Sequence, residues 1–304
     1  MNRVHVLLIG NQRRTEFRAI KPSLTPVAVT AEAPNLPQGY VLVERGEFFP
    51  DLVLLLQSYP GEFSAGPLDA LRRLLPLAGM GVILGPWCEG EGRSGKPLSG
   101  AWRIYWHQWS ARWGQQIQRW QEGQCPLWGL PATSIEEDRL LAASSPLPRL
   151  PPQKIGLFSL RPLETQWLLP VLKAWGLVPQ WISLENLRQA GKTPRDQTGS
   201  PARPENPSQY LSPSEEILLG PQMPGFSELK AVLFDATDAA GEEAFWLRQV
   251  AACMKIPHII LLVDFPRPEL WEKVHPWGVK AVLGKPFALG DLVWHLGRLE
   301  NDGT

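Results

Sequence analysis

The sequence predicts an α/β protein made of two doubly wound parallel sheets in tandem. Three observations support this class. Short apolar stretches of strand length alternate with stretches that carry apolar residues at helical spacing, and both halves of the chain show the alternation. The length of 304 residues is about twice that of an ordinary single domain. Several apolar stretches are uninterrupted, which is typical of parallel strands buried on both faces.

The second half shows the alternation most clearly. Strands are predicted at 154–159, 178–182, 230–235, 257–263 and 279–283, and helices at 163–175, 241–254, 268–275 and 289–299. Parallel strands need crossover connections, so helices between the strands favour a parallel sheet covered on both faces. A stretch rich in proline, glycine and serine at about 191–227 interrupts the pattern, and we expect a disordered insertion there.

The first half repeats the plan less regularly. Strands are predicted at 4–9, 51–56, 80–84 and 103–106, and helices at 68–77 and 110–121. Strand-like pieces lie at 26–30 and 40–43, and no helix is predicted between these two pieces. Residues 126–152 are rich in proline and form the predicted linker, in which a capping box at 134–137 predicts a short helix ending near Ala143. The expected domains are therefore 1–125 and 153–300.

Charge and cysteine content limit the classes of function. Thirty Lys and Arg residues balance thirty Asp and Glu residues, so no net charge attracts nucleic acid or an anionic membrane. Cys88, Cys125 and Cys253 are widely spaced and odd in number, which favours neither a disulfide framework nor a metal site. The N-terminal apolar run is too short for a signal peptide, and no run approaches the ~20 residues that span a bilayer. We expect a cytoplasmic protein that binds neither nucleic acid nor membrane.

One element near the end of the chain resembles a known family. The apolar strand at 279–283 closes with Lys285-Pro286 and leads at once into a helix, as the last strand and helix of response-regulator receiver domains do. This resemblance implies a flavodoxin-like, receiver-like fold in which the lysine reaches an aspartate that accepts a phosphoryl group, and in which the bond before the proline is typically cis. Asp235 ends the third strand, 50 positions before Lys285, and is the phosphoacceptor candidate.

The resemblance is incomplete at the residues that carry the family's chemistry. Receivers follow the first strand with an acidic pair that binds Mg²⁺, but here Ser159, Leu160 and Arg161 occupy that place. Val263 and Asp264 stand in place of the family's switch hydroxyl, and in the first half Leu56 falls at the phosphoacceptor position. We therefore expect degenerate receivers in which Lys285 pairs with Asp235, and Mg²⁺ is expected only if Asp235 is phosphorylated.

A tryptophan-rich segment at 87–109 is the candidate interaction or ligand site. Its glycines would let the backbone approach a ligand closely. Its Arg side chain could hold an anion, and its Cys, Glu and His side chains could bind a metal ion or transfer protons. Three interpretations stay open for the aromatic residues: a packed stripe in the core, a protein interface, or the wall of a catalytic pocket. The candidate residues are Trp87, Cys88, Glu89, Glu91, Arg93, Trp106, His107 and Trp109.

The functional expectation combines these observations. The leading hypothesis is a signalling scaffold that is not an enzyme, needs no cofactor and binds a protein partner through the tryptophan-rich segment. The first alternative is a working phosphorelay receiver phosphorylated at Asp235. The second is a small-molecule-binding or hydrolytic enzyme that uses residues 87–109.

Overall fold

The computed structural model describes residues 3–91, 95–131, 133–143, 149–185, 187, 226–254 and 258–299. The chain divides into two compact units. Unit 1 comprises residues 1–147, 266–269 and 287–294, and unit 2 comprises residues 148–265, 270–286 and 295–304. Residues 191–225 of the predicted insertion lie outside the described residues, and Phe226–Glu228 forms a single 3-10 turn.

Unit 1 is built on a five-stranded parallel sheet. Its strands are β1 (Val4–Gly10), β2 (Ala28–Ala33), β3 (Leu52–Gln57), β4 (Gly79–Leu84) and β5 (Trp102–Tyr105), in the order β2-β1-β3-β4-β5. Its helices are α1 (Ile20–Leu24), α2 (Leu36–Glu44), α3 (Ala65–Leu74), α4 (Trp109–Gln121) and α5 (Glu136–Ala143). Alternate side chains of β1 enter two separate cores, Leu8 on one face and Leu7 on the other, as the two-residue period of a strand requires.

The sequence prediction for residues 40–43 is wrong, because they belong to α2 and not to a strand. The side chain of Asn35 accepts a hydrogen bond from the backbone N–H of Gln38 (3.0 Å), which caps the helix, and Pro37 lies in its first turn. Leu36, Gly39 and Val43 then recur at helical spacing and face the core. Apolar residues at 40–43 therefore do not mark a strand, and the helix-start signal at Asn35 outweighs them.

Unit 2 has a second sheet of the same kind. Its strands are β6 (Lys154–Ser159), β7 (Val178–Trp181), β8 (Ala231–Asp235), β9 (Ile259–Val263) and β10 (Val279–Gly284), in the order β7-β6-β8-β9-β10. Its helices are α6 (Pro162–Thr165), α7 (Leu168–Ala174), α8 (Gly241–Cys253) and α9 (Pro268–Val274). The last helix, α10 (Leu289–Leu296), begins with residues that pack in unit 1, where Arg112 forms an ion pair with buried Asp291 (2.8 Å).

The single helix predicted at 163–175 is in fact two short helices. Pro170 has no N–H, and its ring would clash with the carbonyl of Gln166, four residues earlier. The break between α6 and α7 falls at residues 166–167, as this clash requires.

The predicted fold class is confirmed: both sheets are parallel, and α-helices connect most of the consecutive strands in the part of the chain that the structure describes. In each sheet the second strand lies outside the first, and the third, fourth and fifth follow on the other side. The connections therefore reverse direction between the first and third strands, and such a switch point leaves a crevice at the carboxyl edge of the sheet. None of the helices within the described ranges is long and apolar enough to cross a membrane.

Candidate functional site

The carboxyl edge of the second sheet brings four polar residues to its switch point. Ser159 ends β6 and pairs in register with Asp235, the last residue of β8. Asp264 follows β9, and Lys285 follows β10. Because parallel strands end at the same edge, residues far apart in sequence lie together here. We call these four residues the Lys285 cluster.

Asp235 is the buried centre of the Lys285 cluster. Only 5% of its surface is exposed. Its Oδ1 accepts a hydrogen bond from Lys285 Nζ (2.8 Å), and its Oδ2 accepts from Ser159 Oγ (3.0 Å) and from Thr165 Oγ1. The predicted pairing of Lys285 with Asp235 is thus confirmed. A buried carboxylate needs such partners, because an unpaired buried charge is strongly destabilising.

Lys285 shares its ammonium group among three acceptors. Besides Asp235, Nζ lies 2.9 Å from Asp264 Oδ1 and donates to the carbonyl oxygen of Ala236 (2.8 Å). Burial alone would lower the pKa of Lys285, but its hydrogen bonds and ion pairs with Asp235 and Asp264 raise the pKa above the usual lysine value. The ammonium group therefore stays charged at neutral pH. The bond between Lys285 and Pro286 is cis.

The acidic pair that binds magnesium in receiver domains is not present after β6. Ser159 Oγ donates to Asp235 and accepts from the backbone N–H of Arg161 (3.0 Å), so the turn after β6 is closed by a hydroxyl and not by acids. The residues that the structure describes include no group of three or more His, Cys, Asp or Glu side chains that could hold a metal ion.

The edge of the first sheet places apolar residues at the equivalent positions. Leu56 pairs with Gly10, the last residue of β1, just as Asp235 pairs with the last residue of β6. Tyr105 pairs with the last residue of β4 as Gly284 pairs with the last residue of β9, so Trp106 corresponds to Lys285. Leu56 is fully buried, and Trp106 packs against the same core.

A second polar group lies beside this edge of unit 1. Gln57 Nε2 donates to Glu91 Oε1 (2.9 Å) and to Cys88 Sγ (3.6 Å), and all three side chains are buried. Burial, followed by the nearby carboxylate of Glu91, raises the pKa of the Cys88 thiol to about 12. Burial also raises the pKa of Glu89. Cys88 is therefore a neutral thiol and a poor nucleophile.

His107 is also kept neutral by burial. Its ring stacks on Tyr105, with 5.9 Å between the ring centroids, and its Nδ1 is buried with no hydrogen-bond partner among the described residues. Burial lowers the pKa of His107 to about 4 and raises the pKa of Tyr105. His107, Tyr105 and the Cys88 thiol are therefore uncharged at neutral pH.

The seven candidate residues of the tryptophan-rich segment that the structure describes do not converge on one point. Trp87 is 75% exposed, whereas Trp109 is 2% exposed and stacks on Trp113 at 5.1 Å. Trp109 and Trp113 of α4 are therefore part of the core of unit 1, and Trp120 packs against it. Arg93 lies outside the described residues. Sequence reasoning did not identify Thr165 or Gln57 as site residues, although Gln57 is the polar residue that ends an otherwise apolar strand.

Comparison with known proteins finds no matching family model and no matching curated protein. Among solved structures, the chain is similar to D-2-hydroxyisocaproate dehydrogenase at 12% identity and a TM-score of 0.25, covering 98% of this chain and 96% of that one. It is similar to a glyoxylate reductase from Paecilomyes thermophila at 11% and 0.23, covering 96% and 86%. It is also similar to NAD+-bound 3-phosphoglycerate dehydrogenase from Entamoeba histolytica at 7% and 0.21, covering 99% and 94%.

These structures contradict the functional expectations from the sequence. Each is named as an oxidoreductase, one with bound NAD+, and none of the three is a receiver domain. The expectations of a non-enzymatic scaffold, a phosphorelay receiver at Asp235, a hydrolase at 87–109 and no cofactor are therefore corrected. They relied on one strand, loop and helix in a fold that hosts many functions. At TM-scores of 0.25 or lower, the similarity does not identify the reaction of this chain.

The residues of this chain do not fit the usual dinucleotide cradle. That cradle needs a glycine-rich turn after the first strand, with free backbone N–H groups at the start of a helix. In unit 2 the turn after β6 contains no glycine, the N–H of Arg161 already donates to Ser159, and Pro162 has no N–H. In unit 1 Gly10 is followed by Asn11-Gln12-Arg13, and α1 begins only at Ile20.

Proposed function

We propose that the chain binds a small organic anion at the carboxyl edge of unit 2, with Lys285 holding the anionic group. The observation that carries this proposal is the division of Lys285 between a buried carboxylate and a partly exposed one. The Asp235 side chain is 6% exposed and that of Asp264 is 37% exposed. Lys285 therefore has one partner that is fixed and one that a ligand can replace.

The two ion pairs differ in how easily they are broken. Removing a partner from a buried pair costs about 3–5 kcal/mol, because a charge is left without compensation. An exposed pair contributes about 1 kcal/mol or less, because water solvates the separated charges. An anionic ligand that takes the place of Asp264 leaves Asp235 paired and keeps the charge on Lys285 balanced. Exchange at Asp264 is thus the less costly route to binding.

Apolar side chains beside the edge favour an organic anion over a bare inorganic one. Leu163 lies in α6, close after β6, and is 80% exposed; Phe265 follows Asp264 directly and is 66% exposed. Covering such side chains contributes roughly 25 cal/mol per Å² of apolar surface removed from water. A small carboxylate with a branched or aromatic group would combine both contacts. We also propose that unit 2 resembles receiver domains in its fold. This resemblance carries no proposal about its function.

Calorimetric titration of the full chain with 4-methylpentanoate, and separately with inorganic phosphate, tests the proposal. We expect 4-methylpentanoate to bind more tightly than phosphate. Lys285→Met should abolish binding, whereas Lys280→Met, at an exposed position on the strand β10 that precedes Lys285, should leave it unchanged. Asp264→Asn should tighten binding by about fivefold, because it removes the competing carboxylate.

The Asp264→Asn variant keeps the test decisive if Lys285→Met folds poorly. Glu242→Gln is its matched control. Glu242 is an exposed carboxylate in the same unit, and the amide oxygen of glutamine can still accept the hydrogen bond from Trp246 Nε1. The proposal fails if the wild-type chain binds neither anion up to about 50 mM. It also fails if Asp264→Asn does not bind more tightly than Glu242→Gln.

A further inference from the structure

The loop after β8 is organised around one carboxylate. Glu243, in the first turn of α8, accepts hydrogen bonds from three consecutive backbone N–H groups, those of Thr237 (2.9 and 3.0 Å), Asp238 (3.2 Å) and Ala239 (3.0 Å). Consecutive N–H groups that point at one anion form a nest. Ala239 adopts a positive φ of 51°, which few residues other than glycine do, and the nest includes this residue.

An ordinary helix cap does not account for this arrangement. In a capping box, a glutamate in the first turn bonds to the N–H of the N-cap residue, which in α8 is Ala240. The N–H of Ala240 instead donates to Asp238 Oδ1 (2.9 Å). Glu243 is therefore left to bind the three residues that precede the N-cap. Its carboxylate organises the loop more than it caps the helix.

The same loop supports both sides of the exchangeable ion pair. The carbonyl oxygen of Ala236 accepts from Lys285 Nζ (2.8 Å), and that of Thr237 accepts from the backbone N–H of Asp264 (3.0 Å). The path of residues 236–237 thus sets where Lys285 and Asp264 meet. A loop held at its N–H groups by Glu243 presents its carbonyl oxygens to Lys285 and Asp264 in one fixed geometry.

We propose that Glu243 is a positioning residue for the ligand site at Lys285, acting through the backbone of residues 236–239. This inference rests on the proposed function for its effect on affinity. Its effect on the loop itself does not depend on any ligand. The proposal also predicts that the nest, once Glu243 is removed, accepts a small carboxylate from solution in its place.

The test compares Glu243→Ala with Glu242→Ala in the full chain. Glu242 is the exposed neighbour in the same turn, and its carboxylate accepts from Trp246 Nε1 (3.2 Å) and not from the loop. We expect Glu243→Ala to speed amide hydrogen exchange at 237–239, to shift the NMR signal of the Lys285 ammonium, and to weaken 4-methylpentanoate binding by about tenfold. Sodium formate should restore slow exchange at 237–239, and sodium chloride at equal ionic strength should not.

The outcomes separate this inference from the proposed function. If Glu243→Ala changes amide exchange and the Lys285 signal no more than Glu242→Ala does, or if formate restores nothing, Glu243 is not a positioning residue. If the wild-type chain binds no anion, the proposed function fails, while formate rescue of amide exchange still supports the role of Glu243 in the loop. If anions bind and Glu243→Ala binds them as the wild type does, the positioning proposal is overturned and the function stands.

Discussion

The carboxyl edges of the two sheets have the same strand order but different side chains. In unit 2, register places Asp235 and Lys285 at the ends of the third and fifth strands of the sheet. In unit 1, the equivalent positions hold Leu56 and Trp106, which pack in an apolar core. The strand order is the same in both sheets. The sheet therefore forms whether this edge carries an ion pair or apolar side chains.

This difference argues that the ion pair in unit 2 is not required by the fold. Burying Asp235 costs desolvation energy that a leucine in the same position does not cost, and apolar residues of similar volume often replace a buried pair without loss of stability. An expensive pair at a position where apolar packing suffices is a functional-site candidate, although structural ion pairs perturb their surroundings as well. The comparison thus favours Lys285 over the tryptophan-rich segment as the centre of the site.

The largest expected effect follows from replacing the ion pair at the edge of unit 2 with apolar residues like those at the edge of unit 1. Lys285→Met should lower the free energy of unfolding by about 3 kcal/mol, because it leaves buried Asp235 without its cation. The double variant Asp235→Leu/Lys285→Met should recover most of that loss, because it reproduces the apolar edge of unit 1. Urea unfolding followed by circular dichroism measures both values.

The control for this prediction is Lys280→Met on β10, the strand that precedes Lys285. Lys280 is exposed, so its replacement should change the free energy of unfolding by about 0.5 kcal/mol or less. A double variant that is no more stable than Lys285→Met alone would contradict the comparison. That result would mean that the hydroxyl groups of Ser159 and Thr165, which donate to Asp235, make the pair necessary for the fold.

The sequence was sufficient where a local pattern decides the structure. Continuous apolar stretches identified β8 and β9, because a strand that is buried on both faces needs apolar side chains on both faces. The pairing of Lys285 with Asp235 came from the resemblance to receivers, and the structure confirms it. Residues 40–43 misled because apolar periodicity over four residues cannot separate a strand from a helix turn.

The rest of the site depends on contacts that sequence spacing does not reveal. Thr165 reaches Asp235 only because α6 folds back over the end of β6, and a threonine in a helix gives no signal of such a bond. The sharing of Lys285 between Asp235 and Asp264 requires three strand ends to meet. A glutamate in the first turn of a helix usually indicates a cap, so Glu243 drew no attention. The tryptophans of residues 87–109 were conspicuous because they are numerous, but most of the aromatic side chains in this segment pack in or against the core of unit 1.

The dry edge of unit 1 predicts a loss of stability in mild acid. Between pH 6.5 and about 4 the unfolded chain binds a proton at His107 that the folded chain does not, so stability falls as pH falls. At pH 5 the loss from this group is about 2 kcal/mol. His107→Phe keeps an aromatic ring stacked on Tyr105 and should remove this loss of about 2 kcal/mol at pH 5. Urea unfolding at stepped pH measures it.

His295 in unit 2 provides the parallel case for that prediction. Burial lowers its pKa to about 4 as well, so the wild-type chain should lose stability from both groups and His107→Phe should remove only one share. An NMR titration that finds the His107 ring protonating near pH 6.5 would show that the edge of unit 1 is wetter than its contacts indicate. The contrast between the apolar edge of unit 1 and the charged edge of unit 2 would then be weaker.

The smallest effect concerns the thiols, and it tests whether the edge of unit 1 can support nucleophilic chemistry at all. With the Cys88 pKa near 12, the thiolate fraction at pH 8 is on the order of one in ten thousand, and the side chain is fully buried. Cys253 is buried too, whereas Cys125 is exposed. A thiol reagent such as Ellman's should therefore label one cysteine of the folded chain rapidly and all three after unfolding. Cys125→Ser should remove the rapid phase without changing stability. Rapid labelling of Cys88 in the folded chain would place a reactive nucleophile at the apolar edge, and the assignment of the site to Lys285 alone would no longer hold.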